Sequence, residues 1–479
     1  MRGALVLAVS PAVAFAAAYL TTGPAAGAPP PSASGPYAPA AAGIIGAETV
    51  EGEAYRLLQH LTDRIGPRLT GSAGAEAAVA WTAARLRSYG LQVRTEKVVV
   101  PHWVRGEEEA QIVWPSPQRI LVTALGGSDP TPAEGVTADV VESVGLEGLA
   151  ALGSSGVRGK IVLFNGPMTV RGMEGYGPAV VQRTRGAVEA ARLGAVAAIV
   201  RSVGTLSARL VHAGGMTYDD HVPRIPAAAV AAEDADLVHR LLASGEAVRI
   251  RLRLGCRTLP DVDSANVVAD LPGRERPEEI VLVSAHLDSW DLGTGAIDDG
   301  AGVAMVMETL RLLKTLGLVP RRSVRGVLYM NEENGLRGAR AYAEVHAAEL
   351  SRHVAALESD SGAGRPTGWS ATVGAEGLEA LKDVLTVLAP LGADTVTAGG
   401  GGADIEPLHA ASVPLLGLRL DATRYFDWHH SPADTLDKVD PRDLAAGAAA
   451  LAVAAYVLAE MPEPLPRPAP PAPSPSRRP

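Results

Sequence analysis

Cysteine is nearly absent from this chain: Cys256 is the only one in 479 residues. A single thiol excludes an intrachain disulfide framework and any metal or iron–sulfur site built from several cysteines. Aromatics are scarce at 4% of residues. Lysine occurs at only five positions, 97, 160, 314, 382 and 438, so basic charge is almost all arginine. Together with the excess of alanine, this reads as a habit of the source genome and carries no functional signal. Positive charge is in deficit, with a formal net charge of −10, which argues against nucleic-acid binding because that needs a concentrated basic face. What is present is ordinary globular composition, 47% apolar and 20% charged. The length suggests roughly two to four domains. There is no internal repeat.

Arg2 precedes an apolar run over residues 4–20, and small residues follow at 24–28. This pattern predicts a secretory signal over 1–28 and an exported mature protein, secreted or periplasmic. The run is close to the lower length limit for a spanning helix and Pro11 interrupts it, so the alternative is a retained membrane anchor. Residues 29–44 read as a flexible leader, and the proline-rich stretch 462–479 as an extended, disordered tail. No other segment is expected to span a membrane in the mature form.

Residues 45–129 read as the first part of a catalytic domain. Apolar residues recur at helical spacing (Tyr55, Leu58, Leu61, Ile65; then Val79, Ala83, Leu86) on either side of the turn GPRLTGS, and a strand-like segment follows Gly90. Over 130–255, short β-like runs surround helical ones, as in an inserted domain. From Asn266 strand and helix patterns alternate, which predicts an α/β core with a mostly parallel sheet over 256–461.

The chemistry sits just past predicted strands. The strand 279–285 is followed by His286 and Asp288, and 324–330 by Glu332 and Glu333. The short strand 354–357 leads to Asp360, and 415–420 leads, after a loop, to His429, His430 and Asp434. A glycine-rich loop after the first strand carries Asp298 and Asp299. Ligands of open α/β sheets bind at this edge. Imidazole with carboxylate favours zinc, and a carboxylate supply of this size suits two ions joined by a bridging carboxylate. His286 and Asp360 are candidates for one ion, Glu333 and His430 for the other, with Asp298 between them. Glu332, beside a ligand, is the candidate general base. Asp288 is placed to accept the ring proton of His286 and fix its tautomer.

The runs HLDSWDLGTGAIDDGAG, NEENG, ESDSG and HHSPADT, in this order and spacing, resemble the co-catalytic zinc exopeptidase family, in its carboxypeptidase Q branch. GPRLTGS, GMTYDDHVPRIPAA and GGGADIEPLHAASVP extend the likeness over roughly residues 48–461. The resemblance implies a three-layer α/β sandwich with a mixed, mostly parallel sheet, plus an inserted protease-associated, β-rich domain. It also implies two zinc ions per chain, a dipeptide or short-peptide substrate and a homodimer. It places His286, Asp298, Glu333, Asp360 and His430 on the metals and Glu332 as base. Asn331 departs from the pattern, which has a small or hydroxylic residue there. His429 is the alternative to His430 as ligand and is otherwise expected at the substrate, as are Asp404 and Arg424, with Arg419 a further candidate.

Each element of the set has an ordinary reading when taken alone: Asp299 as a helix-start acid, Asp360 in an Asx-turn, His430 in a loop. His212 and His221, flanking GGMTYDD, are expected to be structural, and Cys256 a buried small hydrophobe. The glycines 399–402 lack a following GK[ST], so they do not form a phosphate loop and instead give the backbone room near substrate. Two other functions compete with peptide hydrolysis. One is a glutaminyl-cyclase-like activity on the same scaffold, needing one zinc. The other is a non-catalytic binding protein acting through the inserted domain.

Overall fold

In a computed structural model describing residues 35–470, four strands lie side by side and parallel at the centre of an eight-stranded sheet. In spatial order they are Arg322–Tyr329, Arg276–His286, His353–Glu358 and Leu415–Leu420. All four were expected from their apolar runs. Every residue of Arg322–Tyr329 and His353–Glu358 is buried, as for strands covered on both faces. Successive side chains of Arg276–His286 serve opposite cores. Val281, Val283 and Ala285 join the core beneath the helices Ala301–Thr315 and Pro441–Glu460. Ile280 and Leu282 join Ala339 and Tyr342 of the helix Arg337–Val345 on the other face. The result is a sheet between two helical layers, a mixed α/β fold. Antiparallel strands flank it: Arg257–Leu271 with Gln92–Val104 on one side, Pro366–Thr372 on the other.

A second eight-stranded sheet lies between Gln92–Val104 and Arg257–Leu271 in the chain, with the helices Gly145–Val157, Met173–Arg192 and Ala232–Ala243. It opens with Glu108–Trp114, which pairs with Arg249–Leu254. The inserted unit therefore begins near residue 105, upstream of the expected boundary at 130. Entry and exit lie side by side, with the Gly255 N–H on the Glu107 carbonyl at 2.8 Å. Gly106 has φ +82°, and a Cβ there would come within 2.3 Å of the Gly255 oxygen. The close approach of the two crossing strands needs glycine.

Two expectations about the ends are corrected. Residues 38–44, read as flexible leader, are the first half of the helix Ala38–Glu51, whose Ala41 and Ile44 are buried in the main core. Of the tail, residues 462–470 are fixed: Leu465 is buried, and the Arg467 guanidinium donates to the carbonyls of Ala411, Leu350 and His353. The signal segment, leader residues 29–34 and tail residues 471–479 lie outside the described residues. The helix Pro441–Glu460 is long and apolar enough to cross a membrane by length and composition, but it is a largely buried core helix packed on Ala301–Thr315.

Candidate metal centre

The carboxyl ends of the four parallel strands meet at one cleft, as the α/β topology dictates. His286 is the last residue of its strand. Its Nε2 lies 3.2 Å from Asp298 Oδ1 and 3.7 Å from Asp360 Oδ1. On the other side of Asp298, His430 Nε2 lies 3.1 Å from Asp298 Oδ2 and 3.0 Å from Glu333 Oε2. His429 Nε2 is also 3.4 Å from Asp298 Oδ2. Asp298 thus belongs to two groups of possible ligands, one with His286 and Asp360 and one with His429 and His430.

The chemistry of this donor set calls for positive charge. The His286 Nδ1–H points at the Asp288 carbonyl, 3.0 Å away. In the neutral ring, Nε2 then turns a lone pair towards the oxygens of Asp298 and Asp360. Only a second proton or a cation relieves that opposition. Burial works against an imidazolium here, but the carboxylates of Asp298 and Asp360 override it and hold His286 well above the ordinary histidine range. Burial likewise opposes ionisation of Asp298, and His286 and His430 overcome it, holding the carboxyl well below its usual value. Among the described residues, Asp298 Oδ2 is buried with no well-aligned hydrogen-bond donor, although His429 and His430 lie close to it. These donors fit zinc, which accepts imidazole nitrogen and carboxylate oxygen in compact sites.

Buried polar contacts hold the ligand loops. Arg68, from the GPRLTGS turn, is fully buried and donates to the carbonyls of Leu287 (2.9 Å), Thr294 (2.7 Å) and Gly295 (3.0 Å). Asp434 accepts the N–H groups of Ala296 and Ile297 at 2.8 and 2.7 Å, just ahead of Asp298. Burial pushes its carboxyl up to about 7. The peptide between Asp298 and Asp299 is cis.

Asp288 acts differently from the sequence expectation. Its backbone carbonyl, not its carboxylate, meets the His286 ring. The carboxylate instead accepts the main-chain N–H groups of Asn331 (2.7 Å), Glu332 (3.0 Å) and Glu333 (3.3 Å). It thereby clamps the loop that presents the glutamate pair. Asn331 has φ +77°. Asparagine tolerates that left-handed conformation better than most residues, which gives the departure at this position a backbone reason. Glu332 is half-buried beside the cluster. Loss of solvent pushes its carboxyl well above the usual range, and the charges of Asp360 and Glu333 add to the effect.

The fold scatters the expected substrate residues. His429 is buried at the cluster, and burial with the neighbouring His430 keeps it well below the usual histidine range, hence neutral. Asp404 belongs to neither group of possible ligands; it is buried on a loop whose N–H groups at 404 and 405 are held by Glu358. Arg424 is away from the cluster: its guanidinium lies over the Trp428 ring at 4.4 Å and lines a separate cavity of about 360 Å³. Arg419 lines a cavity of about 670 Å³ that reaches Asp360 and Glu358. Sequence reasoning missed the anchoring role of Arg68, although it had singled out the turn that carries it. His212, expected to be structural, donates to the His429 carbonyl at 2.7 Å.

A family model, peptidase family M28, matches residues 266–457, the stretch that carries all five expected ligands. Over 414 residues, 86% of each chain, the protein is 43% identical to carboxypeptidase Q of Rattus norvegicus. The chain belongs to peptidase family M28. The crystal structure of a peptidase M28 precursor from Shewanella amazonensis superposes with a TM-score of 0.88 at 41% identity, over 92% of this chain and 100% of that one. A zinc aminopeptidase from Bacillus subtilis shares the fold, with a TM-score of 0.62 at 21% identity over 84% and 94% of the two chains. Membership of this zinc exopeptidase family makes the protein a metallopeptidase.

Proposed function

We propose that this M28 peptidase is an exported exopeptidase that holds two zinc ions per chain and hydrolyses dipeptides or short peptides. The observation that carries the reading is the position of Asp298. Its two oxygens face different histidines, His286 at 3.2 Å and His430 at 3.1 Å. A single buried carboxylate between two donor sets would suit a pair of ions. His286 and Asp360 would hold one ion and Glu333 and His430 the other. His430 is preferred to His429 because its Nε2 meets both Asp298 and Glu333, whereas His429 meets only Asp298.

Zinc bound here would supply Lewis acidity, polarising the scissile carbonyl and acidifying water. The remaining work falls to the chain. Glu332 takes a proton from the attacking water as oxygen bonds to the carbonyl carbon. It returns that proton to the amine as the C–N bond breaks, so one water is consumed and an acid and an amine leave. Asp288 keeps Glu332 aimed by holding its N–H. His429, neutral and buried, is placed to contact the substrate. The 670 Å³ cavity beside Asp360 is floored by Gly400–Gly402 and walled by Met173 and Glu174 of the inserted unit. We read that unit as a protease-associated domain bordering a site for short substrates.

A panel of peptides tests the exopeptidase assignment. Free dipeptides are expected to be cleaved, and capping the recognised terminus by acetylation or amidation to abolish cleavage. Cleavage of internal bonds in long peptides blocked at both ends would contradict it.

A further inference from the structure

We propose that His212, on the inserted unit, is a positioning residue for the metal centre: it fixes the main chain of His429–His430 and thereby the aim of the His430 imidazole. The inference rests on the two-ion reading above. It starts from a backbone peculiarity, since His430 has φ +60°. A left-handed conformation is strained for a residue with a Cβ, and it persists where the surroundings over-determine it. Here the main-chain carbonyls at 429 and 430 are held from the other unit. The His212 Nδ1–H donates to the His429 carbonyl at 2.7 Å. The next residue, Ala213, donates its N–H to the His430 carbonyl at 2.8 Å. Two consecutive residues of the insertion thus hold two consecutive carbonyls of the ligand segment.

His212 is itself held. It is buried, and its N–H rests on Ser202 Oγ at 3.0 Å. The ring fits because residue 204 is glycine, where a Cβ would lie 2.6 Å from His212 Cε1 and 2.9 Å from the Phe426 carbonyl. The grip extends upstream along the ligand segment: the Thr205 N–H meets the Phe426 carbonyl at 3.0 Å, and Thr205 Oγ1 meets Asp427 Oδ1 at 2.7 Å. The rings of Tyr176 and His429 meet in a T-shaped arrangement, with centroids 5.3 Å apart. A carbonyl can only accept, so His212 must present Nδ1–H. Leucine removes that donor at similar volume, while asparagine places an amide N–H near the same point.

Zinc affinity, measured by competition with a chromophoric chelator on the full chain, tests the idea independently of turnover. His212→Leu is expected to weaken one of the two ions by about 10–100-fold, the range for groups that orient a ligand, and to leave the other unchanged. His212→Asn is expected to restore most of the loss. Ser202→Ala, a gentler loosening of the same contact, is expected to weaken the same ion less and serves if the leucine variant does not fold. Unchanged affinity for both ions in the folded variants overturns the inference, as does an equal loss in His212→Asn and His212→Leu. Fewer than two ions on the unaltered protein would instead contradict the two-ion reading.

Discussion

Glu332→Gln is expected to lower kcat by about 10²–10⁴-fold, the usual contribution of a positioned acid–base group, with zinc content unchanged. Glutamine keeps the length and the main-chain N–H that Asp288 holds, but it can neither take a proton from water nor return one to the leaving amine. The five proposed ligands and their supports are untouched, so the loss should fall on kcat far more than on KM. Single-turnover rates measured beside metal content check it. Near-normal turnover at full metal content would remove Glu332 from the role of base.

Asp298→Asn has the second large effect. Asparagine matches the volume but replaces an oxygen with an amide nitrogen, so one histidine would face a donor in place of an anion. Zinc content is expected to fall below two per chain and kcat/KM by at least about 10³-fold. That corresponds to roughly 4 kcal/mol of the several that a metal supplies to a charged transition state. The fold should survive, because Asp434 and Arg68 hold the surrounding loop independently of Asp298. Circular dichroism alongside metal analysis separates loss of the site from loss of the protein.

The central sheet was legible because its four parallel strands are largely buried and carry short apolar runs. Of the proposed ligands, His286 ends such a run and Glu333 and Asp360 follow one within a few residues, whereas Asp298 and His430 come only after longer loops. Support of the site was harder to read. Arg68 lies more than 200 residues from the loop it holds, and a buried arginine bonded to carbonyls looks like any surface arginine in sequence. Asp288 showed that spacing gives proximity but not the atom that acts: the carbonyl meets His286, while the carboxylate turns to the 331–333 loop. The start of the insertion was missed because Glu108–Trp114 continues the strand-like character of Gln92–Val104. Only Gly106 marks the change of sheet. Arg424 was chosen for its closeness to His430 in sequence, yet the helix Tyr425–Trp428 intervenes and carries it to another cavity.

The most direct test of the account is the metal content of the purified protein, measured beside dipeptide hydrolysis with and without a chelator. Two zinc ions per chain are expected, with hydrolysis abolished by the chelator and restored by zinc. One ion per chain, or hydrolysis that the chelator leaves untouched, would contradict a paired metal centre built on Asp298.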